Sequence, residues 1–196
     1  MDKLYMILLC LMIVPILICI KYSRKIKSDV ASSIVKCLIF TIVTILSNGL
    51  SAFSGNETFS YIMEALYRFS FDLMLIYVLQ YSQQYTRVFH EVSPFKKGCF
   101  IIAYLDGILL FLNIIFHNVF TIETVRFPNF DMYHVADKSI IFYFHYVFAY
   151  GLVFCIIASF IIKIIQIPDF YRKKYLPILV LMCVITVSYT HLTLPT

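Results

Sequence analysis

The sequence predicts an all-α fold: a polytopic membrane helical bundle with six recognisable spans of an expected seven and its N-terminus outside. Three observations carry this. Hydrophobic residues make up 61% of the 196 and charged residues only 14%, with a mean hydropathy of +0.87; average soluble chains are roughly 45–50% apolar and about 25% charged. The apolar residues gather in six long runs instead of short alternating segments. The charges concentrate in the connectors between those runs. A span consumes ~20 apolar residues, so little chain is left over. That excludes a soluble catalytic domain within these residues and excludes a nucleic-acid binder. The lipid bilayer is the expected partner, and no nucleic acid is.

The six runs cover approximately 4–20, 30–50, 61–81, 99–117, 139–165 and 176–186. The first has a single cation before it, Lys3, and Lys21-Tyr22-Ser23-Arg24-Lys25 after it. A signal peptide has the reverse order, so this run reads as an uncleaved anchor with its N-terminus outside. The second run carries Lys36, and the third carries Glu64, Arg68 and Asp72. The fourth holds Asp106 and ends at His117. The connector from Asn118 to Lys138 is long and of mixed polarity and reads as an outer loop. The fifth run carries His145 and Tyr146. The sixth begins at Leu176 and is still apolar at Ile185.

Orientation follows from the cations. The first, third and fifth connectors hold eleven Lys and Arg, counting Lys163 at the end of the fifth run; the N-terminus and the even connectors hold three. Positive residues favour the cytoplasmic side, which puts the odd connectors inside. The decapeptide Val187 to Thr196 breaks the pattern. It resembles one reading frame of a transposase adapter used in sequencing libraries, so the natural reading frame is expected to diverge near Thr186. A sixth run cut there is too short to span. A seventh helix would return the chain to the cytoplasm, where an output domain would follow.

Glu64, Arg68 and Asp72 lie four residues apart and therefore stack on one helical face. A charge at the bilayer centre costs at least ~2.5–3.5 kcal/mol, so the stripe is expected to face other helices, either pairing along itself or lining a polar pocket. Lys36 and Asp106 are expected at similar depth and are candidates for an intramembrane ion pair. The alternative for Lys36 is to extend its ammonium to the interface. His117, His134 and His145 lack the spacing of a local metal motif, and no metal site is expected from them. Asp72 and Asp106 are expected at unequal depths, which speaks against a carboxylate dyad and an intramembrane enzyme. Asn56-Glu57-Thr58 matches a glycosylation sequon, relevant only in a eukaryotic secretory setting.

The six cysteines, Cys10, Cys19, Cys37, Cys99, Cys155 and Cys183, fall in or beside apolar runs without a Cys-x-x-Cys pair and read as small buried hydrophobes. There is no phosphate-binding loop, no His-Glu-x-x-His and no Gly-x-Ser-x-Gly, and no cofactor is expected.

The run Leu110 to Thr121, LFLNIIFHNVFT, resembles a segment of the N-terminal seven-helix region of certain bacterial histidine kinases. The stretch Phe142 to Leu179 is similar to that region's fifth helix: His145-Tyr146, then Tyr150, a long apolar run and the basic linker Tyr171-Arg172-Lys173-Lys174. Ser70 to Thr86, SFDLMLIYVLQYSQQYT, resembles the third helix of the same sensors when they precede a GGDEF diguanylate cyclase domain. The resemblance implies a sensor in the bacterial cell membrane, homodimeric at full length. Its output would be a cyclase first and a histidine kinase next. Glu64, Arg68, Asp72, His117, His145 and Tyr146 are the candidate ligand-sensing residues. The alternative from a different class is a small six-helix transporter or substrate-binding membrane subunit.

Overall fold

The computed structural model describes residues 2–52, 56–88, 93–127 and 130–168, with 172, 175, 177 and 180; side chains are described for 11–51, 56–88, 94–124, 133–168 and those four. Five helices dominate: α1 (Asp2–Ser23), α2 (Asp29–Ala52), α3 (Glu57–Thr86), α4 (Ser93–Phe116) and α5 (Ile140–Gln166). They lie over the first five apolar runs and extend past them, except at the end of α4 and the start of α5, which fall one residue short. α2, α4 and α5 are each long and apolar enough to cross a membrane. The sixth run and the 187–196 segment lie almost wholly outside the described residues.

The all-α expectation needs one correction. Between α4 and α5 the chain forms an antiparallel hairpin, β1 (Phe120–Phe127) with β2 (Phe130–Lys138), pairing Ile122 with Val135 and Phe127 with Phe130. The physical reason is legible afterwards. Thr121, Ile122, Thr124 and Val125 are β-branched, and Pro128-Asn129 punctuates two extended runs of similar length.

α3 is the centre of the bundle: α2, α4 and α5 all pack on it, while α1 packs on α2. Its start is fixed by Asn56, whose side chain accepts the Phe59 amide at 3.3 Å; the sequon asparagine is thus a helix cap. α2 meets α3 through small side chains, Ala31, Ser33, Thr44, Ser47 and Ser51, all buried. The Ser33 hydroxyl donates to Gln84 Oε1 at 2.8 Å, and the Thr44 and Ser70 hydroxyls lie 3.0 Å apart. Small residues let helix backbones approach, and hydroxyls bond across the gap, as in membrane helix pairs. α4 and α5 each present one stripe inward at three- and four-residue spacing. On α4 it is Cys99, Ala103, Asp106, Leu110 and Asn113; on α5 it is Phe142, His145, Ala149, Leu152 and Ile156.

The solvent logic of a soluble protein is inverted. Ile115, Val147 and Phe154 are about 70% exposed, at 72%, 69% and 73%, whereas Glu64, Arg68, Asp72, Asp106 and His145 are buried. An apolar exterior around a polar interior suits a protein whose surroundings are lipid. Of the cysteines with described side chains, Cys99 is buried, Cys37 and Cys155 are half-buried and Cys19 is exposed on α1. All four are free thiols, and Cys19 departs from the buried role expected of it.

Candidate functional site: a polar layer between two apolar clusters

Two apolar clusters fill the bundle. The one beneath the hairpin comprises Tyr61, Ala65, Leu110, Val119, Phe120, Ile122 and Phe142. The other, further from the hairpin, is built on Leu73, Ile76, Leu79, Cys99, Ala103, Ala149, Leu152, Ile156 and Phe160. Between them lies a layer of ionisable side chains from α3, α4 and α5.

The half of the layer nearer the hairpin is Glu64 and Arg68. They pair through Arg68 Nη2 and Glu64 Oε1, one turn apart on α3. The Ser51 hydroxyl of α2 adds a hydrogen bond to Glu64 Oε2 at 3.3 Å. The Arg68 guanidinium sits 4.2 Å from the centre of the Phe142 ring, with Phe120, Tyr67 and Tyr146 within 5.9 Å. A desolvated cation over aromatic faces gains ~2 kcal/mol or more. The charged stripe therefore pairs with itself only in its first half. Glu64 takes Arg68, and Asp72 turns elsewhere.

Asp72 joins the second half. His145 Nδ1 lies 2.8 Å from Asp106 Oδ2 and 3.3 Å from Asp72 Oδ2. All three residues are at most 2% exposed. Among the described residues, neither oxygen of Asp72 has a hydrogen-bond partner, and neither does His145 Nε2. One nitrogen and two carboxylates, with ligand atoms all within 4.8 Å of one another, are a set capable of holding a metal ion.

This corrects two expectations. Lys36 does not pair with Asp106: its ammonium lies over the Tyr77 ring at 5.6 Å, while Asp106 bonds His145. Asp72 and Asp106, expected at unequal depths, meet at one level. Depth was counted from the edges of the apolar runs, and the helices are staggered. The layer sits roughly four turns into α3, three turns before the end of α4 and one and a half turns into α5.

His117 lies outside the layer. It is exposed, ends α4 with φ 51°, and its ring meets Tyr61 at 4.6 Å. His134 is exposed on β2. Tyr146 is half-buried, 5.9 Å from the His145 ring and stacked 6.4 Å from Tyr150. Sequence reasoning missed Asn113. Its Nδ2 donates to the Phe120 carbonyl at 2.9 Å, and its Oδ1 accepts the Val119 and Phe120 amides at 2.6 and 3.3 Å. With Tyr61, whose hydroxyl accepts the Ile122 amide at 3.0 Å, it fastens the hairpin over the bundle. Asn113 stands within the quoted run LFLNIIFHNVFT, which was the available signal.

Among the described residues, two lateral grooves are apolar. One of about 340 Å³ is lined by Gln83, Phe95, Phe154, Cys155, Ala158, Ser159 and Ile162. The other, about 330 Å³, lies beside Phe69, Tyr104, Gly107 and Phe111. Neither includes a residue of the polar layer.

No family model matches the chain, and no curated protein matches it at a meaningful level of similarity.

Proposed function

We propose that the chain is the membrane-sensing module of a bacterial signalling protein, multi-pass in the cell membrane with its N-terminus outside. The observation that carries this reading is a buried polar layer inside an apolar bundle. Ser51, Glu64 and Arg68 form its half nearer the hairpin and Asp72, Asp106 and His145 the other half, with the cluster around Tyr61, Leu110 and Phe120 on one side and that around Ile76, Ala103 and Leu152 on the other. Buried ionisable groups in membrane helices mark ion or signal sites. A polar layer closed by apolar clusters on both sides suits detection, because a transport route needs polar access from both sides. The six-helix transporter is for that reason the second reading.

The signal acts on this layer, and the helices carrying it shift between two packings. The change biases a cytoplasmic output domain of a homodimer, a GGDEF diguanylate cyclase first and a histidine kinase next. The test uses the gene at its native locus. Alanine at Glu64, Arg68 and His145, compared with the native chain at matched membrane expression, is expected to abolish the stimulus-dependent change in cyclic di-GMP or in autophosphorylation. Unchanged expression together with an unchanged response overturns the reading.

A further inference from the structure

The second half of the layer holds more acid than a structural histidine bridge uses. His145 Nδ1 carries at most one hydrogen, and of the two carboxylates Asp106 is the nearer to it, at 2.8 Å. Asp72 faces the same nitrogen at 3.3 Å with, among the described residues, no hydrogen bond to either of its oxygens, although it is 0% exposed. An unsatisfied buried carboxylate is costly, and it is aimed at the point where Asp106 and His145 already meet.

The charge balance points the same way. Among the described residues Arg68 is the one buried Lys or Arg, and Glu64 occupies it. Two carboxylates remain, Asp72 and Asp106. With a neutral imidazole, a divalent cation brings this group to zero net charge in a medium where uncompensated charge is expensive.

We propose that Asp72, Asp106 and His145 bind one divalent transition-metal ion of the zinc and manganese class. Metal–nitrogen and metal–oxygen bonds of about 2.0–2.2 Å place neighbouring ligand atoms about 2.8–3.6 Å apart at angles between square and tetrahedral. The separations of 2.8 and 3.3 Å fall inside that range. An imidazole nitrogen suits zinc, and two carboxylates widen the site to manganese. Three protein ligands leave a coordination position open, as in sites that exchange metal or accept a further ligand. The proposal names the ligand of the layer assigned above as the sensing element. It rests on that reading for the ion's role, and the binding itself stands apart from it.

The experiment uses the full chain purified in detergent. It is stripped with a chelator, equilibrated with Zn²⁺ or Mn²⁺ and desalted, and the metal per chain is measured by mass spectrometry. The same protein loaded with Co²⁺ gives a visible spectrum. The expected result is one ion per chain with nitrogen and oxygen ligation. The D72N, D106N and H145Q variants are expected to weaken binding at least ~10-fold, whereas H117A/H134A, which removes two exposed histidines, retains it. Substoichiometric metal in the unmodified chain overturns the proposal. So does a thiolate band in the cobalt spectrum, or full metal retention by a layer variant with native circular dichroism and elution. Should every layer variant misfold, the stoichiometry and cobalt spectrum of the unmodified chain decide alone. A stoichiometric ion whose removal leaves the output of the full-length protein unchanged would sink the sensor reading and leave the metal site standing.

Discussion

His145 Nδ1 lies 2.8 Å from Asp106 Oδ2, a tie from α5 to α4, two helices that pack chiefly on α3 and little on each other. Removing one member of such a buried group leaves the others without a partner. H145L strands two carboxylates and is expected to destabilise the chain by about 3–5 kcal/mol. The triple variant D72L/D106L/H145L removes every charge at that level and should melt above H145L. Thermal melting in detergent followed by circular dichroism reads both, and a triple variant no more stable than H145L would refute the argument.

Arg68 sits 4.2 Å from the centre of the Phe142 ring. Lysine keeps the charge but loses the planar face that stacks there, so R68K is not conservative. It should lower stability by about 1–2 kcal/mol. R68M alone leaves Glu64 buried and unpaired and should cost more than R68M/E64Q. A reversed order of those two melting temperatures would contradict the pairing.

Gly107 gives a case where the sign is decided by one neighbour. A Cβ there would lie 2.5 Å from Phe69 Cδ2. Alanine gains up to ~1 kcal/mol of helix propensity, but overpacking costs about 1–3 kcal/mol. G107A is therefore expected to destabilise the native chain and to be neutral or stabilising in an F69A background. The four melting points of that cycle check it.

Asn113 satisfies three buried backbone groups of the hairpin's first residues. N113A leaves them unpaired at about 1–3 kcal/mol each. The loss should appear locally, as faster amide exchange across 119–122 and quicker tryptic cleavage within 118–139, while α2 and α3 stay protected. Uniform loosening of the whole bundle would mean that the asparagine supports the helices and not the hairpin.

The α2–α3 contact separates hydrogen bonding from fit. The Thr44–Ser70 bond is 3.0 Å long, and interhelical bonds in membranes average ~0.6 kcal/mol. S70A should thus be mild. S47L inserts bulk into a face of small residues, since Ser47 is 2% exposed, and should cost about 1–3 kcal/mol. Comparable losses from both would overturn the distinction.

Much of this was legible in advance. Long apolar runs located the helices, because length and hydropathy set them locally. The four-residue spacing of Glu64, Arg68 and Asp72 was sufficient to send all three inward, and it anticipated the Glu64–Arg68 pair. The partner of Asp72 was not legible. It depends on how far α3 starts before its apolar run, and a stagger between helices leaves no mark in the sequence of any one of them. Asp106 was read against Lys36 for the same reason. The hairpin was overlooked because a connector between membrane runs invites no search for two-residue alternation.

The placement of the polar layer between two greasy blocks has a consequence for how the helices find their axial alignment. α4 and α5 are so uniformly apolar that sliding either by one turn exchanges one hydrocarbon contact for another at little cost. A one-turn slip of α5 would bring Phe142 or Ala149 opposite Asp106 in place of His145. The layer therefore works as an index mark, selecting a single depth for α4 and for α5 against α3, and any ion or ligand that gathers those side chains also sets the height of those two helices.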